Sequence, residues 1–274
     1  MSNLLLAVLY GIVEGITEWL PVSSTGHLIV LNSLLPLPVS REFFAFFEVF
    51  VQLGAILAVL ATYFARLNPL SKQKTDAEKK RTYRLWGYIL LSVLPSAVIG
   101  AVLDDALETY CHNALTVSLM LIGYGVAFIV ISCSKRERTP QIVDASAVSA
   151  RQALFMGLWQ VASLVPGTSR SGATILGGLL AGLPRQTATE FSFFMAIPTM
   201  LGACLLKAMG FARSGVSVST DEMLLLVLTF AVSFAVSLLT VRFLTELVKR
   251  HTFAPFGVYR IVLGTLILLN TYGR

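Results

Sequence analysis

Apolar runs separated by short polar stretches recur along the chain at residues 47–65, 85–103, 115–133, 188–209, 222–241 and 253–270. Each is close to the roughly 20 residues that cross a bilayer as a helix, and none alternates as a barrel strand does. Two further apolar regions are too short and are broken. Residues 4–20 read LLLAVLYGIVEGITEWL and stop at Pro21; after VSSTG the chain resumes as HLIVLNSLLPLP, with Pro36 and Pro38 at its end. The second region has the same form: ALFMGLWQVASLV stops at Pro166, GTSRSG follows, and ATILGGLLAGLP ends at Pro184. Half-helices interrupted by Pro, Gly and Ser at membrane depth are tolerated only when buried in protein or lining a wet cavity. The pattern therefore predicts an all-α polytopic membrane protein with six transmembrane helices plus two re-entrant helical hairpins.

The broken regions resemble each other. Setting Gly26 against Gly172 pairs Gly11 with Gly157 and Glu14 with Gln160. Downstream, EFFAFFEVFVQLGA (42–55) aligns without gaps to EFSFFMAIPTMLGA (190–203), six identities in fourteen. Apolar segments can match by chance, but hairpin, Leu-Pro, Glu-Phe and Leu-Gly-Ala follow in the same order in both. The reading is a single membrane domain of two repeats, about 1–134 and about 152–274, joined by a cytoplasmic loop at 135–151. Each repeat holds a hairpin and three spans. An odd number of spans inverts the second repeat, so the two hairpin tips are expected to meet near the midplane.

Composition agrees: 55% of residues are hydrophobic and 13% charged, with mean hydropathy +0.76, against about 25% charged in a soluble domain. The net charge of +6 is read as topology, with no nucleic-acid partner. Seven Lys/Arg lie in 66–84, four in 135–151, and Arg242, Lys249 and Arg250 precede the last span, whereas 104–113 carries three acids and no Lys or Arg. Two spans separate each basic stretch from the next, which puts all three on the cytoplasmic side. No cleavable signal is expected, since a basic leader and a small-residue cleavage pattern are missing. Cys111, Cys133 and Cys204 lack metal-ligand spacing, and His112 and His251 are given no role.

The candidate chemistry sits at the tips. Glu14 and Glu18 are four apart on one helical face, and like charges so placed need a shared proton, a cationic side chain or a metal. Intramembrane acids are functional candidates by default, and two carboxylates make a partial oxygen site for Mg²⁺ or Ca²⁺. Ser23, Ser24 and Thr25 open the next half-helix, where hydroxyls also cap helices; His27 follows. At the second tip, PGTSRSGAT (166–174), Gly167 and Gly172 allow close backbone approach to a ligand. Ser169, Ser171 and Thr174 offer hydroxyls, and Arg170 brings a permanent charge. A helix N-terminus and a guanidinium suit an anion, although Arg170 neutralising an acid is the plainer alternative. No Walker lysine is present. Gln52 and Glu48 are weaker candidates for polar support, and Arg260, inside the last span, needs a partner such as a carboxylate or a phosphate. The set suits a phosphorylated lipid with its tail in the bilayer.

EGITEWLPVSSTGH and PGTSRSGAT resemble the two signature motifs of the bacterial undecaprenyl-diphosphate phosphatases, also called bacitracin-resistance proteins. FEVFVQLGAILAV (47–59), ATEFSFFMAIP (188–198) and APFGVYR (254–260) resemble family segments too. The stretches 66–84 and 207–221 are individual. The resemblance implies hydrolysis of undecaprenyl diphosphate to the monophosphate in the bacterial cytoplasmic membrane, with the site open to the outer face. It also implies that Glu14 and Glu18 act with a divalent cation while Arg170 holds the diphosphate. Attack by Ser24 or Ser23, with His27 or Glu18 managing the proton, and attack by water with His27 as base are all open. So is association of two copies as a homodimer.

A transporter or flippase of a polyprenyl phosphate is the rival reading, because inverted repeats with broken helices are a transporter architecture. The other large class of membrane lipid phosphatases has a Pro-Ser-Gly-His element similar to PVSSTGH. It also needs a histidine soon after its Ser-Arg pair, and here the next one after Arg170 is His251.

Overall fold

A computed structural model of the chain describes residues 3–111, 113–134 and 144–272. Among these, all regular structure is helical. Six helices are long and apolar enough to cross a membrane: α3 (Arg41–Thr62), α5 (Asp76–Cys111), α6 (Ala114–Cys133), α9 (Arg185–Arg213), α10 (Thr220–Arg250) and α11 (Ala254–Tyr272). Their outer faces carry large apolar side chains in the open, such as Val98 at 63%, Val130 at 64% and Leu239 at 69% exposure. In water such faces mark an interaction surface; around a bundle of this length they mark lipid. The chain is an all-helical multi-pass membrane protein.

The short helices are α1 (Asn3–Thr17), α2 (Ser24–Leu34), a single turn α4 (Phe64–Leu67), α7 (Ala150–Val161) and α8 (Arg170–Leu180). At 1.5 Å per residue, α1 reaches about 22 Å and α2 and α8 about 16 Å, well short of the roughly 30 Å hydrocarbon core. Each pair turns at its Pro-Val-Ser or Pro-Gly-Thr-Ser break. Close approach explains where they pack. A Cβ at Gly11 would fall within 2.9 Å of Thr229 and Val232 on α10, and the Thr229 hydroxyl donates to the Ala7 carbonyl at 3.1 Å. Gly157 of α7 abuts the backbone of Ser92 on α5 in the same manner. Small residues that let backbones meet are the usual basis of helix association in lipid. α6 packs on α11, and α3 on α10 and α9. Between them lies a core built on Trp19, Ile175, Phe191, Phe193, Phe194 and Phe253.

Several sequence boundaries shift. The first span begins at Arg41 because Ser40 caps it, its side chain accepting from the Phe43 N–H, and it ends at Thr62 rather than at 65. Residues 66–84 are not one loop: Thr75 and Glu78 bond reciprocally and start α5 at Asp76, so four basic residues ride on its first turns. Residues 104–111 continue that helix instead of forming a loop. His112 and residues 135–143 of the basic stretch lie outside the described residues. The three cysteines are free.

Candidate active site

The two breaks have one local geometry. Ser23 (φ 76°, ψ 92°) and Ser169 (φ 73°, ψ 123°) are the non-glycine residues at positive φ among those described. Each caps the helix after it, its hydroxyl accepting from the N–H of Gly26 (3.3 Å) or Gly172 (3.1 Å). Such a backbone costs about 1–3 kcal/mol per residue, and a serine cap contributes only about 1 kcal/mol. The strain is held by the surrounding packing, as at functional sites generally. Gly167, at φ +88°, lies against the Val117 backbone, where a Cβ would approach to 2.5 Å.

These turns bring the N-termini of α2 and α8 to one cavity of about 190 Å³. Its walls include Glu18, Ser23, Ser24, Thr25 and Gln52 from one half of the chain and Gly167, Ser169 and Arg170 from the other. Glu18 sits just past α1, its N–H still bonded to the Glu14 carbonyl at 3.0 Å. One of its carboxylate oxygens, Oε1, accepts from Arg170 Nη2 at 2.8 Å; Oε2 accepts from the Ser24 hydroxyl at 2.6 Å. Arg170 is fixed further by donation from Nη1 to the Ser192 carbonyl at 2.9 Å and by the Trp19 ring, 5.4 Å away. The Arg170 side chain is 11% exposed and that of Glu18 5%. Removing one partner from so buried a pair costs about 3–5 kcal/mol. The neutralisation of an acid by Arg170 is thus present, and it leaves the Arg170 Nε buried without a hydrogen-bond partner among the described residues.

Other expected residues lie beside the cavity. The Ser171 hydroxyl is 3.1 Å from the Glu18 carbonyl and 3.2 Å from that of Leu20, so it ties one tip to the other. Thr174 reaches the Ser192 hydroxyl at 2.6 Å and pins α8 to α9. His27 is not on the cavity wall. Its Nδ1 is 2.7 Å from the Ser23 carbonyl, which only accepts, so Nδ1 carries the proton; Nε2 then accepts from the Tyr259 hydroxyl at 2.6 Å. Glu14 is fully buried behind Glu18. Both its carboxylate oxygens, and Oε1 of Glu48, have no hydrogen-bond partner among the described residues.

Arg260 meets a partner of another kind. Among the described residues it pairs with no carboxylate, and its five hydrogen bonds run to backbone carbonyls. The broken tips leave carbonyls that no helix satisfies, and a five-donor fork answers several at once. Thr199 and Met200 also line the cavity and were missed, although the alignment of 42–55 with 190–203 pairs Met200 with Gln52.

No group of three or more His, Cys, Asp or Glu side chains takes metal-binding geometry among the described residues. Glu14 and Glu18 remain an oxygen-only pair, of the kind Mg²⁺ uses when phosphate supplies the other ligands.

The profile of the family described as Bacitracin resistance protein BacA matches residues 7–266, both tips included. The chain is 50% identical over 263 residues to the undecaprenyl-diphosphatase of Streptococcus mutans, covering 96% of this chain and 94% of that one. It is 48% identical over 268 residues to that of Lactiplantibacillus plantarum, covering 98% of each chain. For Enterococcus faecalis the figures are 46% over 267 residues and 97% of each. Matched from α1 into α11, the chain belongs to the bacitracin resistance protein BacA family.

Proposed function

We propose that this chain is an undecaprenyl-diphosphatase, hydrolysing undecaprenyl diphosphate to undecaprenyl phosphate and phosphate. The family and its relatives' activity support this, and one observation carries it at the level of atoms. A single carboxylate, Glu18, accepts from a hydroxyl at 2.6 Å and from a guanidinium at 2.8 Å on the wall of one cavity. A nucleophile, a base for its proton and a cationic holder for phosphate are thereby adjacent. Two helix N-termini face the same space and add partial positive charge where a diphosphate would lie.

In this reading Arg170 and the first-turn N–H groups of α2 and α8 hold the diphosphate and stabilise charge on the transferred phosphoryl group. Glu18 takes the Ser24 proton as Oγ attacks the terminal phosphorus. The phosphoric anhydride bond breaks and undecaprenyl phosphate leaves, taking up the proton from Glu18; Glu18 then accepts a proton from the water that attacks the phosphoserine and returns it to Ser24 Oγ as phosphate departs. Ser23 holds the strained cap, and Thr25, Gln52, Gly167 and Ser169 shape the pocket. His27, with both ring nitrogens engaged, orients the first tip instead of moving the proton. Glu14, whose oxygens are unpartnered among the described residues, and Glu18 are the residues that would hold a divalent cation, Mg²⁺ or Ca²⁺. When bound, such an ion supplies Lewis-acid neutralisation of the phosphate oxygens.

The architecture supports an inverted repeat of re-entrant hairpins. α1 packs on α10 of the other half, and α7 on α5 of the other half. The paired residues Gly11 and Gly157 are the close-approach points of those two contacts. The basic stretches place the loops on the cytoplasmic side, so the first hairpin opens to the outer face of the cytoplasmic membrane. This symmetry also favours a second reading, movement of a polyprenyl phosphate across the bilayer.

Phosphate release from undecaprenyl diphosphate by the purified protein in detergent tests the proposal, because transport needs two compartments and hydrolysis does not. Wild type is expected to release phosphate, with Glu18→Ala and Arg170→Ala essentially inactive; equal rates in all three end the assignment. Ser24→Ala is expected to fold and to lose turnover. Full activity in that variant removes the covalent route.

A further inference from the structure

Arg260 is fully buried, sits outside the cavity wall, and pairs with no carboxylate among the described residues. A charged side chain in that position is costly unless every donor is used. Its donors go to both tips. Nη1 donates to the Pro21 carbonyl at 3.0 Å, in the first tip. Nη2 donates to the carbonyls of Gly167 (3.0 Å) and Thr168 (2.9 Å), in the second. The remaining bonds, to Leu121 at 3.4 Å and Met120 at 3.3 Å, anchor the guanidinium to α6, and the Tyr124 ring lies 5.5 Å away. A Cβ at Gly172 would come within 3.1 Å of Nη1, so α8 is packed directly onto this group. The preceding residue of α11, Tyr259, holds His27 and through it the Ser23 carbonyl.

We infer that Arg260 is a positioning residue for the reaction: one guanidinium spans Pro21 and Gly167–Thr168, and so sets how far Glu18 and Ser24 stand from Arg170. Pro21 lies three residues before Ser24, and Thr168 two before Arg170, so any change in the spacing of these carbonyls is passed to the reacting groups. Lysine keeps the charge but gathers its three donors on one nitrogen, and cannot reproduce the planar fork that spreads these contacts over Nε, Nη1 and Nη2. Misplacement by about 1 Å is enough to cost about 100-fold in rate.

The inference rests on the proposed hydrolysis, and the test keeps the two apart. The full-length protein and its Arg260→Lys and Arg260→Ala variants are purified in detergent and assayed for phosphate release, with kcat expressed per folded molecule. Trp19, which lies beside Arg170, reports tip geometry without substrate by its fluorescence in a Trp86→Phe, Trp159→Phe background. We expect both variants to fold and kcat to fall by about 10- to 100-fold. KM should change by less than about threefold, because no group facing the cavity is removed. Trp19 emission should shift, and methylguanidinium should restore part of the activity of Arg260→Ala but not of Arg260→Lys. Wild-type kcat with unchanged emission in Arg260→Lys overturns the role. So does failure of both variants to fold, which would make Arg260 a determinant of folding alone. If the wild type releases no phosphate, the proposed function falls, and the Trp19 signal still decides whether Arg260 sets the tips.

Discussion

The two tips share a backbone and differ in what they carry. Both place a serine at positive φ that caps the following helix through the third residue's N–H. Under the proposed repeat, Ser24 and Arg170 occupy one position, and they grip the two oxygens of the same carboxylate. Glu14 and Gln160 also correspond. Gln160 is satisfied, donating to Ser96 at 2.6 Å and to Thr199 at 3.2 Å, whereas both oxygens of Glu14 are unpartnered among the described residues. The settings differ as well: residues 171–179 of α8 are all buried, while α2 buries only Ser24, Gly26 and Leu28. The lesson is one of division. Under that proposed repeat, two like frames bring helix N-termini to one cavity, and differences at a few positions give one frame Glu18 and Ser24 and the other Arg170.

The strongest way to break this comparison is to disable the carboxylate that both tips share. Glu18→Gln is expected to lower kcat by about 10³-fold or more, the upper part of the range for a general base. Turnover above a tenth of wild type in a phosphate-release assay would mean that Glu18 is not the hub. Next comes the cationic side. Arg170→Lys cannot serve the Ser192 carbonyl, Glu18 and a phosphate together, so kcat/KM should drop about 100-fold, near 2.7 kcal/mol, comparable to losing one oxyanion donor. An unchanged value would reduce Arg170 to a counter-charge for Glu18.

Smaller effects sharpen the contrast. Glu14→Gln makes the first tip resemble the second in polarity, so the protein should fold normally. Its titration with Mg²⁺ or Ca²⁺ should then weaken by more than about tenfold, at least the cost of losing an outer partner of a metal site. Identical cation titrations in the two proteins would remove Glu14 from that role. Least of all, Ser23→Ala and Ser169→Ala should each cost about 1 kcal/mol of stability through the lost cap. Matching falls in melting temperature would support equivalent frames; a fall at only one tip would count against them.

Much of the site could be read along the chain because intramembrane charge is expensive: Glu18 and Arg170 stand out in apolar surroundings without any coordinates. The breaks at Pro21 and Pro166 were equally plain because Gly, Ser and Thr cluster behind each proline; proline alone is not enough, since Pro95 and Pro198 lie inside α5 and α9. Helix ends were less legible. The first turns of α5 are polar, and only the Thr75–Glu78 reciprocal bond fixes where it starts. His27, among acids and hydroxyls, looks like a base along the chain, and the tyrosine that bonds its Nε2 is 232 residues away, a contact that no local pattern announces.

By itself the sequence determined the helical membrane class, the two broken segments and the residue types available for phosphate chemistry, because hydropathy and proline act locally. Which side chains meet was decided only by tertiary structure. The contact between Glu18 and Arg170, the occupation of His27 by Tyr259 and the bridge that Arg260 builds between Pro21 and Gly167 each join residues about 90 to 240 positions apart. Such contacts depend on how α6, α8 and α11 pack, and a hydrogen bond forms only where that packing brings donor and acceptor to about 3 Å.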